Sequence, residues 1–124
     1  MTSDLNDIRR VIPVLEMAFR AEQLKMAKIV QRIADLRAQL TSLDRSESFD
    51  PLSTANRMGA DVLWETWVQE RKTLIMQEQA LALRDREAQR SQLIAALSKL
   101  EAAKQVERRA SQHAKQQVLR RSSW

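Results

Sequence analysis

Apolar residues recur in two rows of a heptad pattern over the first third of the chain. The rows are Ile12, Phe19, Met26, Ile33 and Leu40, and Leu15, Glu22, Ile29, Leu36 and Leu43. Glu22 is the one polar residue among these positions. A stripe of two apolar residues in every seven is a coiled-coil seam, and over residues 13–43 it needs a partner helix along about 45 Å. The sequence therefore predicts a first helix over 13–43 that packs against the next helix.

Residues 60–119 contain no proline and no glycine and consist mostly of strong helix formers. They predict a second helix that begins at 51 or 60 and ends at 119, with a short tail over 120–124. One apolar row recurs every seven residues, at Trp67, Leu74, Leu81 and Ala88. Val68, Ile75 and Ala82 lie beside this row, so the first half of the second helix has a broad apolar face. Residues 84–92 are almost entirely polar, and the apolar positions after them resume in a different phase. We interpret this as a discontinuity in the coiled coil.

Proline, glycine and serine mark where the helices begin and end. Pro13 predicts the start of the first helix, because proline is tolerated at the first helical position, and residues 4–12 are then a separate short helix or a kinked extension. Residues 44–50 predict the turn, with Asp50 as an N-cap before Pro51. The turn extends to 59 if Gly59 breaks the helix. The expected fold is all-α: residues 1–124 form a single antiparallel coiled-coil hairpin whose second helix is longer than the first.

This hairpin has a consequence for the carboxyl end of the second helix. A turn between about 44 and 59 places Pro13 opposite residues about 82 to 90. Residues from about 100 to 120 then have no partner in their own chain. Two interpretations stay open for this segment: a solvated helix end, or a projecting helix that docks into a groove or pore of a partner.

The charge of the chain is concentrated in the same segment. Residues 1–98 carry as many basic as acidic side chains, whereas residues 99–124 carry seven basic residues against Glu101 and Glu107, which accounts for the whole net charge of +5. A basic tail of this kind can contact an acidic protein surface or a phosphate backbone. A nucleic-acid-binding adaptor is therefore one alternative, and a purely structural coiled-coil dimer is another.

The composition argues against catalysis and against a membrane span. The chain has no cysteine, one glycine and a single histidine, His113, so it lacks a nucleophile pair, a zinc site and a phosphate-binding loop. We expect a protein that is not an enzyme and has no cofactor. Asp44, Glu47 and Asp50 match no cation-binding loop and are explained as caps. The acidic amino terminus and the absence of a long apolar run predict a cytoplasmic protein.

Trp64 and Trp67 stand just past the turn, three residues apart on one helical face. One interpretation is that they pack over Leu40, Leu43, Phe49 or Leu52 and lock the tip of the hairpin. The other is that at least one of them is exposed and anchors a partner, because tryptophan is enriched at binding hot spots. The two interpretations are compatible.

With these features in place, the chain resembles the FliJ family of flagellar export proteins, which are related in form to the stalk proteins of injectisome type III secretion. The resemblance lies in the segment Ile12-Pro13-Val14-Leu15-Glu16 with Arg20, Glu22 and Ala27, and in the polar second helix that continues through Glu107-Arg108-Arg109. It extends over most of the chain.

The resemblance implies a cytoplasmic part of the export apparatus, or one peripheral at the inner face of the membrane. Its termini would enter the central hole of the hexameric export ATPase, and it would contact the membrane export-gate protein and export chaperones. From the seam and the charge we expect the ATPase to contact Leu97, Leu100, Val106, Arg108, Arg109, Lys115, Arg120 and Arg121. Trp64 and Trp67 are the expected contact near the hairpin tip.

Overall fold

The computed structural model describes residues 2–47 and 58–123 and contains two α-helices. Helix α1 spans Thr2–Glu47 and helix α2 spans Met58–Ser122. Their packed segments run antiparallel, and no strand occurs in the described residues. The fold is therefore an all-α antiparallel helix pair with a longer second helix, as the sequence predicts.

Helix α1 passes through Pro13 and does not begin there. The predicted start at Pro13 with a separate short helix over 4–12 is wrong, and residues 4–12 are instead an extension of the first helix, which was the other alternative. A proline inside a helix costs about 3 kcal/mol, because it removes one hydrogen bond and crowds the preceding turn. Packing offsets this cost, since Ile8 and the buried Ile12 continue the apolar row in phase on the amino-terminal side of the proline.

Helix α2 contains Gly59 as its second residue, so the helix does not break there. A glycine at the end of a helix costs less than one in its interior. At the other end, α2 runs to Ser122, beyond the predicted end at 119. The Ser122 hydroxyl donates to the Leu119 carbonyl oxygen at 2.9 Å, and the Ser123 hydroxyl donates to the Arg120 carbonyl oxygen at 2.9 Å. The predicted start at Asp50 and Pro51 lies outside the described residues.

The seam of α1 is confirmed. All ten predicted positions are buried or half-buried, and the row extends in the same spacing to Ile8 and Leu5. Ile33 and Leu36 are the most deeply buried, at 4% and 1% exposed. Neighbouring residues outside these two rows are almost all exposed, so α1 uses one narrow stripe to contact α2.

The seam of α2 differs from the predicted one, because its heptad is not interrupted. Apart from Leu83, Lys104 and Ser111, the buried and half-buried positions follow alternating steps of four and three residues: 68, 72, 75, 79, 82, 86, 89, 93, 96, 100, 103, 107, 110, 114 and 117. The predicted discontinuity over 84–92 is wrong, since Arg86 and Gln89 occupy ordinary seam positions. Of the predicted broad apolar face, Val68, Ile75 and Ala82 are buried in this seam, whereas Trp67, Leu74 and Leu81 lie beside it and are about half exposed.

The packed residues form two units, which we describe separately. The central unit is Ala27–Ala88, and the terminal unit combines Met1–Met26 with Gln89–Trp124. In the central unit, Ile33 and Leu36 of α1 pack with Ile75 and Ala82 of α2. Half-buried apolar residues surround this cluster: Ile29, Leu40, Leu43 and Leu83.

In the terminal unit, the amino-terminal part of α1 covers the carboxyl-terminal part of α2. Ile12 packs with Leu100 and Ala103, where the predicted hairpin placed residues about 82 to 90 opposite this part of α1. Arg9 Nε lies 3.5 Å from Glu107 Oε1. The prediction that residues from about 100 to 120 lack a partner in their own chain is therefore wrong for the part from Leu100 to Glu107. The pairing is displaced toward the carboxyl end of α2, because Val68 is the first buried residue of that helix among those described.

Glu22 and Gln89 form a polar pair within the seam of the terminal unit. The Gln89 side-chain amide donates to the Glu22 carboxylate and, at 3.1 Å, to the Glu22 backbone carbonyl oxygen. Lys25 Nζ lies 3.5 Å from the same carboxylate. The hydrogen bond from Gln89 lowers the pKa of Glu22 below its ordinary value of 4.5, and Lys25 adds to this effect while burial opposes it.

Leu97 and Leu100 form a matched pair for testing the pairing of the helices in the terminal unit. Leu100 is 4% exposed and Leu97 is 40% exposed. Truncation of a buried leucine to alanine costs about 2–5 kcal/mol, because apolar contacts are lost and a cavity remains. We expect Leu100→Ala to lower the urea midpoint of unfolding clearly and Leu97→Ala to cost about 1 kcal/mol or less. If the two substitutions lowered the urea midpoint of unfolding equally, the observed register would be contradicted.

The Glu22–Gln89 pair predicts a pH-dependent contribution to stability. A carboxyl with a lowered folded-state pKa stabilises the fold above its unfolded pKa, and this contribution is lost as pH falls through the folded pKa. We expect Glu22→Gln to lower the unfolding midpoint at pH 7, and the difference from wild type to shrink on acidification below pH 4.5. In a chain that also carries Gln89→Leu, we expect Glu22→Gln to change the unfolding midpoint at pH 7 much less. If the unfolding midpoints of Glu22→Gln and wild type differed by the same amount at every pH, the stabilising role of the ionised Glu22 carboxylate would be refuted.

Candidate functional site

The expected cationic residues form an exposed surface on the terminal unit. Its members all lie off the seam of α2 and have exposed side chains: Arg108, Arg109, Lys115, Arg120 and Arg121. Of the two acidic residues in this part of α2, Glu107 is paired with Arg9. The positive charge of the surface is therefore only weakly neutralised by its own chain, and it is available to an anionic partner.

An apolar groove lies next to this surface, between the amino-terminal part of α1 and the last turns of α2. Its lining consists of Leu5, Arg9, Ser111, Ala114, Lys115, Val118 and Leu119. Val118 and Leu119 are 63% and 66% exposed. Arg9 and Lys115 place positive charge on a mostly apolar groove, so an apolar side chain with a nearby carboxylate fits its chemistry.

Sequence reasoning missed the contribution of Leu5 and Arg9 to this groove. The signal was present, because Leu5 and Ile8 continue the heptad of α1 without a change of phase. That continuity indicates a helix that begins well before Pro13. A longer α1 brings its first turns beside the carboxyl-terminal part of α2.

The three expected apolar contacts differ in their accessibility. Leu100 is buried against Ile12 and is a core residue of the terminal unit, so it has little surface to offer a partner. Leu97 is 40% exposed and Val106 is 52% exposed. Of the three, these two retain enough apolar surface to contact another molecule.

Trp64 and Trp67 remain about half exposed and stack on each other. Each has 49% of its surface accessible, their ring centroids are 5.1 Å apart, and their planes differ by 24°. Stacking restrains both rings and leaves indole surface in contact with solvent. Phe49 and Leu52, two of the expected packing partners, lie outside the described residues.

Two ion pairs join charged residues of α1 and α2 in the central unit. Arg32 Nη2 lies 3.0 Å from Glu78 Oε2, and Lys72 Nζ lies 2.8 Å from Asp44 Oδ1. Asp44, considered above as a cap, thus pairs with α2. Exposed pairs of this kind contribute little to stability, and here they match charges between the two helices.

His113 is exposed, and its Nε2 lies 3.2 Å from Gln117 Nε2. Within 2–47 and 58–123, no group of three or more acidic or histidine side chains is arranged to hold a metal ion. Neither helix, over its described length, contains a stretch apolar enough to cross a membrane.

Comparison of the chain with protein-family models, with curated proteins and with solved structures finds no match. The exposed surfaces of the chain include the cationic surface, the apolar groove and the stacked tryptophans.

Proposed function

We propose that this protein is a non-enzymatic stalk or adaptor of a flagellar-type protein export apparatus. In this proposal the terminal unit docks into the hexameric export ATPase, and a second surface contacts the membrane export-gate protein or export chaperones. The observation that carries the proposal is the exposed cationic surface on the terminal unit, which adjoins an apolar groove.

The docking element in this proposal is a pair of helices. Leu100 and Ala103 pack against Ile12, and Arg9 pairs with Glu107, so α1 supports α2 up to the point where the cationic surface begins. Two packed helices lose less conformational freedom on binding than a single helix that must be ordered at the same time. Such support favours a stalk that keeps its shape inside a ring of subunits.

The chemistry of the surface indicates what its binding site on the ATPase must offer. Exposed arginine and lysine side chains attract carboxylates over several ångströms and speed association, and salt screens this attraction. Val118 and Leu119 add apolar surface beside these charges. An ATPase pore lined by acidic side chains with apolar patches matches both requirements.

Trp64 and Trp67 supply the second contact in the proposal. A stacked and half-exposed pair can bury a large area at low entropic cost, because the rings are already restrained. We assign this pair to the gate protein or a chaperone, since the cationic surface belongs to the terminal unit and the pair belongs to the central unit.

The cationic contact is tested by Arg108→Glu combined with Arg109→Glu. We expect this variant to lose co-purification with the export ATPase, because charge reversal replaces attraction with repulsion. The matched control is Arg37→Glu with Arg71→Glu, which makes the same change of charge at exposed positions of the central unit. Unchanged co-purification of the first variant would refute the assignment. A salt-sensitive shift of DNA or RNA mobility that requires residues 99–124 would point to the nucleic-acid alternative.

The aromatic contact is tested by Trp64→Ala. Loss of a tryptophan at the centre of an interface costs about 2 kcal/mol or more, which is roughly a 30-fold weaker Kd for the gate protein or chaperone. Leu63→Ala is the control, because Leu63 is a neighbour that is 73% exposed and is not part of the stacked pair. Isothermal titration calorimetry measures both variants. Wild-type affinity of Trp64→Ala for both partners would remove this part of the proposal.

A further inference from the structure

The outer face of α1 in the terminal unit has an unusual composition. The positions that point away from α2 over residues 10–24 are Arg10, Pro13, Val14, Met17, Arg20, Ala21 and Leu24. These residues are either apolar or basic. The outward side of a helix in a two-helix pair normally carries polar and mixed-charge residues, because it faces water.

The apolar members of this face are strongly exposed. Val14, Met17 and Leu24 are 63%, 68% and 65% exposed, and Val11 beside them is 44% exposed. Val14, Met17, Ala21 and Leu24 follow steps of three, four and three residues, which is the spacing of a coiled-coil seam. This outer row covers about 15 Å, or nearly three helical turns of contact with another helix.

We propose that this outer row is a docking site for an acidic amphipathic helix of a partner protein. The heptad spacing requires a helix, because knobs at these steps fit the holes of a facing helix. The charge favours acidic flanks on that helix, because Arg10 and Arg20 are exposed on this face and no acidic residue shares it within residues 10–24. Asp7 lies one turn before Arg10, and Glu16 lies toward the seam and is half-buried.

The same two observations argue against other occupants. A second copy of the chain, paired through this row, would bring basic flanks against basic flanks, and like charges across such a contact are unfavourable. A lipid surface favours a wider apolar face with aromatic side chains, whereas this row is narrow and contains none. Met17 suits a helical partner, because its flexible side chain adapts to the facing surface.

The test uses the full-length chain and a labelled synthetic helix of about three heptads, with leucine and alanine in its seam and glutamate on its flanks. A twin peptide carries lysine in place of glutamate. We expect the acidic peptide to bind in fluorescence anisotropy at physiological salt and the basic twin not to bind. Met17→Glu with Leu24→Glu should weaken binding of the acidic peptide by about tenfold or more.

Two further variants separate the outer row from general charge attraction. Gln105→Glu with Gln112→Glu makes the same change of charge at exposed positions of α2 in the same unit and should bind the peptide nearly as wild type does. Arg10→Glu with Arg20→Glu changes the charge on the face but keeps the apolar row, and should shift the preference toward the basic twin. Circular dichroism checks that each variant remains helical.

Several outcomes would overturn the proposal. Equal binding of the two peptides would mean that the charge of this face does not select an acidic partner. An equal loss in the Gln105 and Gln112 variant would mean that general charge attraction, and not the outer row, binds the acidic peptide. Association of the chain with phosphatidylglycerol vesicles that is lost in the Met17 and Leu24 variant, with no peptide binding, would assign the row to a membrane. A dimer of the wild-type chain in size-exclusion chromatography that this variant dissociates would assign it to self-association.

Discussion

The structure depends on the burial of one narrow apolar stripe on each helix against the other. Neither helix carries enough apolar surface for a globular core, so packing across the seam is the main source of stability beyond the helical hydrogen bonds. The two rows of α1 and the two rows of α2 follow the same heptad spacing. Because only two residues in seven are used, most of the surface of both helices remains free for solvent or partners. The candidate sites all lie on that remainder.

Polar residues within the seam restrict the register in which the two helices can pair. Glu22 faces Gln89, and their hydrogen bonds satisfy groups that would be costly to bury alone. A shift of α1 along α2 would separate this pair and place Glu22 opposite an apolar or cationic position. A polar pair at one level of a coiled coil thus disfavours alternative registers, at some cost in stability. The ion pair between Arg9 and Glu107 favours the same register from the edge of the seam.

The surface features differ between the two units. The terminal unit carries the cationic surface, the apolar groove beside it and the outer row of α1, whereas the central unit carries the stacked tryptophans. In the proposed function, partners would bind along the sides of the helices, where a few apolar or aromatic anchors supply affinity and charge supplies specificity. Binding of several partners by one chain requires such separate surfaces.

The sequence alone determined the helical class, the seam of α1 and the position of the positive charge. It could do so because heptad spacing and composition are local properties: the ten positions from Ile12 to Leu43 include nine apolar residues. The start of α1, the seam of α2 and the pairing between the helices were decided only by the tertiary structure. In α2 the predicted apolar face contained the buried Val68, Ile75 and Ala82 but also the half-exposed Trp67 and Leu74. Farther along, polar residues such as Gln89 and Glu107 occupy the seam, so hydrophobicity alone does not identify the contact row over the whole helix. Register depends on the summed packing of both helices over their whole length, which is why α1 could pass through Pro13 and cover part of the segment of α2 that the sequence had left without a partner.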